Sequence, residues 1–184
     1  MTIENFMEHL AFLVTYRGLW LVLFGINTLC LYKMFVRFAP VRKQWYWHLV
    51  LLFTLYWTSA VIIWVGDENL LYVLPAFLVA TMLCTAGNVM GRLTVNVTFI
   101  CIIMSVNAMI DSFLGWQQLS HLFIDYYDTF TRLCRSIVWV SVWLIFRRRF
   151  PKVPPNLPQR IWRIVFGLSL MPLCSLVSIV LLTM

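Results

Sequence analysis

Charged residues are scarce in this chain, and acidic residues are the scarcest. Asp and Glu number 7 among 184 residues, Lys and Arg number 14, and charged residues make up 11% of the sequence. A soluble globular domain carries about 25% charged residues, so this composition excludes an ordinary soluble domain. Hydrophobic residues account for 62% of the chain, and we therefore predict an integral membrane protein.

Signatures of catalysis and metal binding are also missing. The three histidines share no metal-ligand spacing such as HExxH, and the stretch 87–91 lacks the pattern of a nucleotide-phosphate loop. The five cysteines form no CxxC pair and all lie within apolar runs, which is typical of small buried hydrophobic residues. We therefore predict no catalytic residue, no metal and no cofactor. The basic residues sit in short loops between apolar runs, which argues against a nucleic-acid partner.

Six apolar runs divide the chain, each long enough to cross the ~30 Å hydrocarbon core of a bilayer. They cover residues 18–36, 45–65, 70–89, 94–114, 127–146 and 161–183. Basic residues follow the first, third and fifth runs, whereas acidic residues flank the other connections. The positive-inside rule then places the basic connections in the cytoplasm and both termini outside. We predict an all-α, polytopic bundle of six transmembrane helices in the lipid bilayer, with residues 1–184 as a single domain.

Two segments lie outside the apolar runs. Residues 2–17 alternate polar and apolar side chains, which favours a helix along the outer membrane interface. Residues 147–160 combine four prolines with basic residues, which favours a stiff, extended cytoplasmic loop. This loop either orients the chain by resting on anionic lipid or docks a specific partner, and the sequence leaves both interpretations open.

A stripe of charge marks the beginning of the fifth run. At ~100° per residue its four members fall within an arc of roughly 80°, and they are Asp125, Asp128, Arg132 and Arg135. Charge at membrane depth costs at least ~2.5 kcal/mol per residue on insertion scales, so this charged stripe must face protein or a water-filled cavity. The fourth run has a polar face of its own, formed by Arg92, Asn96, Asn107 and Asp111.

The fourth and fifth runs are joined by a short connection, so we expect them to be antiparallel neighbours. Arg132 or Arg135 is then predicted to pair with Asp111, or with an acidic residue of the charged stripe, because buried charges require partners. Two interpretations remain: a charge network that only locks the helices together, and an outer cavity that responds to a ligand. The second would draw on supporting polar residues, namely Arg17, Asn27, Asn96, Asn107 and His121.

The order of these features resembles the membrane input region of bacterial GHKL-type sensor histidine kinases, the group that includes the accessory gene regulator peptide sensors. Four features carry the resemblance. Near the N-terminus, Tyr16-Arg17 follows an acidic segment, and a basic loop lies at 37–43. Further along, Gly91-Arg92 precedes a span that ends in Asp111, and the basic, proline-containing stretch 147–160 precedes a span that contains Pro172. The resemblance implies a sensor of a two-component system in the bacterial cytoplasmic membrane. It further implies a homodimer that receives an extracellular ligand such as a peptide.

The family's phosphoacceptor histidine and nucleotide-binding boxes would follow the membrane region, whereas this chain stops at Met184. We expect either the membrane portion of a longer kinase or a stand-alone homologue without the kinase domain, and the apolar ending favours the first. The alternative function is the substrate-binding membrane component of a small-solute transporter. Such a subunit needs small-residue helix faces toward an energising partner, and the first run offers only Gly18 and Gly25.

Overall fold

The computed structural model describes residues 3–61, 69–116, 127–149 and 158–183. Within these ranges the chain forms helices and no strand, which confirms the predicted all-α class. The helices are α1 (Ile3–Phe38), α2 (Trp45–Ala60), α3 (Asn69–Cys84), α4 (Val89–Trp116), α5 (Tyr127–Phe146) and α6 (Gln159–Thr183).

The first helix is longer than the first apolar run. Residues 3–17 are helical, but they continue α1 without a break and do not form an element of their own. No proline separates them from the apolar run, and the single Gly18 costs an interior helical position only about 1 kcal/mol. At 36 residues, α1 is about 54 Å long and exceeds the hydrocarbon thickness of a bilayer.

The connection between α3 and α4 lies earlier than the apolar runs predicted. The third run extends to residue 89, yet α3 ends at Cys84 and α4 already begins at Val89. Gly87 adopts φ 103°, a left-handed conformation that glycine takes without strain. The side chain of Asn88 then accepts a hydrogen bond from the backbone amide of Met90 (3.2 Å), which caps the new helix. Backbone geometry therefore ends α3 within an apolar run.

The first and third connections are fastened to each other. They meet in an isolated antiparallel bridge. The backbone amide of Arg42 donates to the carbonyl of Cys84 (3.0 Å), and the amide of Ala86 donates to the carbonyl of Pro40 (2.8 Å). These two loops, both predicted to be cytoplasmic, hold the near ends of α1, α2, α3 and α4 together.

The helices pack around α4. This helix makes its most extensive contact with α6 and also contacts α2, α3 and α5, while α1 packs along α5 and α2. The centre of the bundle is apolar. Its best-buried aliphatic and aromatic side chains include Leu31, Phe35, Leu51, Leu55, Phe77, Ile100, Ile103 and Met104.

Large apolar side chains lie on the surface of this bundle as well as in its centre. Every helix exposes large apolar side chains; examples at least 61% exposed, one per helix, are Leu21, Phe53, Val79, Met109, Ile145 and Leu182. Charged and amide side chains are instead among the most buried, including Asn27, Asn96, Asn107, Asp111 and Arg135. Two helical stretches, Gly18–Phe38 and Val89–Leu114, are long and apolar enough to cross a membrane, and Asn69–Cys84 is apolar but shorter.

Candidate functional site

The predicted ion pair between the charged stripe and the fourth run is present. A guanidinium nitrogen of Arg135 on α5 donates to a carboxylate oxygen of Asp111 on α4, and both side chains are 1% exposed. Helical periodicity left Arg132 and Arg135 as equal candidates, and the structure selects Arg135. The pair joins the facing sides of α4 and α5 in the part of the bundle that the charge distribution predicts to be its outer half.

Arg135 and Asn107 also hold the C-terminal end of α2. Nη1 of Arg135 donates to the carbonyls of Ser59 (3.3 Å) and Val61 (3.1 Å). Nδ2 of Asn107 donates to the carbonyls of Thr58 (3.3 Å) and Val61 (3.4 Å). The last four carbonyls of a helix lack partners within it, and a cation near them interacts favourably with the helix dipole. Side chains of α4 and α5 thus cap α2 from outside the helix.

The capped end of α2 is the part of this site that sequence reasoning missed. The apolar run 45–65 predicted a longer helix, but α2 ends at Ala60, because Val61 turns to an extended conformation with φ −63° and ψ 126°. The hydroxyls of Thr58 and Ser59 do not compete for the cap. They donate within α2, to the carbonyls of Thr54 (2.7 Å) and Tyr56 (3.0 Å). Such back-bonding is compatible with helical structure but weakens it.

Arg132 turns toward a different neighbour. Its guanidinium lies 4.1 Å from the centre of the Trp20 ring and 4.7 Å from that of Phe24, both on α1. The indole nitrogen of Trp20 also donates to the hydroxyl of Thr129 on α5 (2.9 Å). A cation over an aromatic face contributes about 0.5 to 2 kcal/mol, depending on its hydration. The two arginines of the stripe therefore connect α5 to α1 on one side and to α2 and α4 on the other.

The remaining predicted site residues do not all join this cluster. Asn96 lies on the same helix as Asp111 but 15 residues away, about 22 Å along the axis, so it belongs to the other end of the polar face of α4. Asn27 is fully buried in α1, and no described contact links it to the ion pair. The side chains of Arg17, His121, Asp125 and Asp128 lie outside the described residues.

Arg92, the inner member of the polar face on α4, belongs to the loop connection described above. Its Nε donates to the hydroxyl of Thr85 (3.1 Å), and its Nη2 donates to the carbonyl of Met82. The polar face of α4 therefore serves two ends of the bundle. Asn107 and Asp111 act at the end of α2, and Arg92 acts at the α3–α4 turn.

The site has the chemistry of recognition and packing. It contains a fixed cation, a carboxylate and helix-end carbonyls, and no nucleophile is paired with a base among its described side chains. Among the described side chains, no group of three or more His, Cys, Asp or Glu is arranged to hold a metal ion. Comparison of the chain with protein-family models, with curated protein sequences and with solved structures finds no match.

Proposed function

We propose that this chain is a polytopic membrane protein in which all six helices cross the bilayer, with the N-terminus outside. The large apolar side chains exposed on every helix support this proposal, because large exposed apolar patches are rare in soluble monomeric proteins. The early end of α2 supports it as well. Irregular backbone is tolerated at membrane depth only where protein satisfies it, and the carbonyls of Ser59 and Val61 accept bonds from Arg135.

Cysteine labelling tests this topology. In a variant whose five native cysteines are replaced by alanine, Asp67→Cys should react with an impermeant maleimide in intact cells. Arg149→Cys should react only after the cells are permeabilised, because its basic connection is placed in the cytoplasm. Labelling of position 149 in intact cells, or extraction of the protein by alkaline carbonate, would overturn the proposal.

Within that membrane frame, the function we propose is signal reception, with α5 as the moving element. One observation carries this proposal. Through Arg135 and Arg132, α5 holds charged contacts to α2, α4 and α1. If an extracellular ligand displaced α5, all of these contacts would be replaced by others at the same time. Packed helices switch in this way, by moving between discrete packing arrangements. The resemblance to the membrane input of sensor histidine kinases supports a two-component role and a peptide-like ligand.

The test compares site variants with a matched surface variant in cells. Genes whose expression changes when the chain is deleted provide the readout. Each variant replaces the wild type in the cell, and its amount in the membrane is measured. Spent culture medium serves as the source of the extracellular ligand. In Asp111→Asn and Arg135→Gln, expression of the readout genes should be the same with and without this medium, because each variant removes one partner of the ion pair. Arg148→Gln alters an exposed residue of the turn after α5 and should behave as the wild type.

If both site variants reach wild-type membrane level and still respond normally, the ion pair is only a structural lock and the sensing proposal fails. If they lower membrane level, the conservative variant Arg135→Lys decides. It keeps the charge beside Asp111 but not the planar fork that reaches the α2 carbonyls. A stable Arg135→Lys protein with a normal response would equally contradict the proposal.

A second function, small-solute transport, is favoured by one specific observation. All four side-chain amide atoms of Asn27 and Asn96 are buried and lack a hydrogen-bond partner. Buried polar atoms normally bond to protein or to ordered water, so these amides favour a polar occupant inside the bundle. Transport predicts that deletion of the chain slows depletion of a solute from the medium. It also predicts that Asn27→Leu impairs this depletion while leaving the transcriptional readout unchanged.

A further inference from the structure

A cavity of about 360 Å³ lies where α1, α4, α5 and α6 meet. It is separate from the ion pair and contains none of the charged stripe. Its walls are built from large apolar side chains of all four helices, among them Phe38, Ile103, Trp139, Val142 and Trp162. This volume is more than twice the ~150 Å³ of an engineered apolar cavity that binds benzene.

The cavity offers little to a polar ligand. The indole nitrogen of Trp139 is a single buried donor without an acceptor, and the hydroxyl groups of the lining are already bonded. Two threonines line it, but the hydroxyl of Thr94 donates to the carbonyl of Met90 (2.7 Å). The hydroxyl of Thr98 donates to the carbonyl of Thr94 (2.8 Å) and lies 2.7 Å from that of Ser169. Both hydroxyl groups are therefore engaged within the protein. A water molecule needs two or more polar partners and an apolar cavity stays dry, so the chemistry fits hydrocarbon.

The cavity opens on the apolar surface of the bundle. Ile102 lines it and is 48% exposed, which places the rim at the surface that faces lipid in the proposed topology. Trp162 also lines the cavity, and its ring would lie 3.1 Å from a Cβ atom added at Gly91. Glycine at this position allows the indole to pack against α4, and this close approach defines one wall.

Cations gather at the end of the α1–α5 interface that adjoins the cavity. Lys33 Nζ lies 5.1 Å from the centre of the Trp143 ring, and the guanidinium of Arg147 lies 5.5 Å from the same ring. Arg37 donates to the carbonyl of Arg147 and is adjacent in sequence to the cavity residue Phe38. Clusters of Lys and Arg at the cytoplasmic membrane surface attract anionic headgroups.

We propose that this cavity binds one acyl chain of an anionic phospholipid, whose headgroup lies against Lys33, Arg37 and Arg147. The site rests on the proposed membrane location and is independent of the proposed sensing role. Each pair of methylenes buried by the cavity should contribute about tenfold in affinity. Bound lipid would fill the space that separates α6 from α1 and α5.

Native mass spectrometry of protein reconstituted with phosphatidylglycerol and phosphatidylcholine in equal amounts tests the proposal. The wild type should retain one phosphatidylglycerol in preference to phosphatidylcholine. Val142→Trp fills the cavity and should reduce this retention by at least about tenfold, since the indole displaces two or more methylenes. Ile137→Trp is the matched control, because Ile137 lies on the same helix but is 57% exposed and outside the cavity. Unchanged retention in Val142→Trp would overturn the proposal.

A second measurement does not depend on a cavity-filling variant. In vesicles of phosphatidylglycerol with brominated acyl chains, bromine quenches a tryptophan that it touches. Trp139 is 2% exposed and lines the cavity, whereas Trp57 is 60% exposed on the surface. The difference in emission between the wild type and Trp139→Phe gives the emission of Trp139, and Trp57→Phe gives that of Trp57 in the same way. Comparing these values in brominated and in ordinary lipid shows how strongly each tryptophan is quenched.

Quenching of both tryptophans is the expected result, since a chain inside the cavity reaches Trp139. If Trp57 is quenched and Trp139 is not, the acyl-chain site is wrong and the membrane location stands. If neither is quenched, the membrane location itself is wrong. The two proposals are thereby separated by one experiment.

Discussion

Removal of the buried cation should be the most damaging single change in this bundle. Arg135→Met removes the cation paired with Asp111 and the Nη1 group that donates to the carbonyls of Ser59 and Val61. The carbonyl of Val61 keeps its bond from Asn107, whereas the carbonyl of Ser59 loses its bond from Arg135. Breaking a buried ion pair from one side costs about 3 to 5 kcal/mol, and a buried carbonyl that loses its donor adds about 1 kcal/mol or more. We therefore expect Arg135→Met to lower the free energy of unfolding by about 5 kcal/mol.

The structure predicts an asymmetry between the two partners. In Asp111→Leu the guanidinium loses its carboxylate but keeps two carbonyl acceptors at the end of α2, so this variant should be less damaged than Arg135→Met. The double variant buries no charge, and replacement of a whole buried pair by apolar residues is often close to neutral. It should therefore be more stable than Arg135→Met alone.

Titration with SDS in mixed micelles, followed by the loss of helical circular dichroism, measures these differences. Arg148→Met, in the exposed turn after α5, serves as the control and should change stability by less than about 0.5 kcal/mol. The reasoning is refuted if the double variant loses as much stability as the two single variants together. That result would mean that Asp111 and Arg135 act independently.

Two further changes can be measured by the same titration. Gly91→Ala should destabilise the protein by about 1 kcal/mol or more, because the new Cβ lies 3.1 Å from the Trp162 ring. Gly25→Ala is the control, because nothing lies within 4 Å of the added Cβ. It should leave stability unchanged or raise it by up to about 1 kcal/mol. Equal effects of Gly91→Ala and Gly25→Ala would contradict the close packing of Trp162 on Gly91. Arg132→Leu should lose about 0.5 to 2 kcal/mol through its contacts with the rings of Trp20 and Phe24. The loss should be smaller in a Trp20→Leu background, and an equal loss there would exclude the contact with Trp20 as a cause.

The helical class and the positions of several elements were predictable from residue order alone. The apolar run 127–146 coincides with α5 (Tyr127–Phe146), and the run beginning at residue 45 starts where α2 starts. A helix bonds its own backbone groups, so apolar length and flanking residues suffice to locate it. Boundaries set by a single backbone conformation were missed. Gly87 ends α3 early, and Val61 ends α2 before its apolar run is complete.

The candidate site divides in the same way. Burial requires that Asp111 find a cation, and helical periodicity limited the candidates on the fifth run to Arg132 and Arg135. Helical periodicity indicates the direction in which a side chain leaves its helix. It does not indicate which helix lies in that direction, or which residue of that helix the side chain meets. The selection of Arg135, the capping of α2 and the placement of Arg132 on Trp20 depend on how helices distant in sequence meet.

Residue order alone establishes that the chain is helical, that most of its residues are apolar, and that a buried carboxylate on the fourth run needs a partner from the fifth. The packing of the helices selects the arginine that supplies this partner and sets the residue at which α2 ends. The apolar cavity was likewise beyond residue order, because its walls come from four helices and its shape depends on the approach of Trp162 to Gly91. Local propensities act within a few residues, whereas cavities and caps arise from side chains that meet only after the helices have packed.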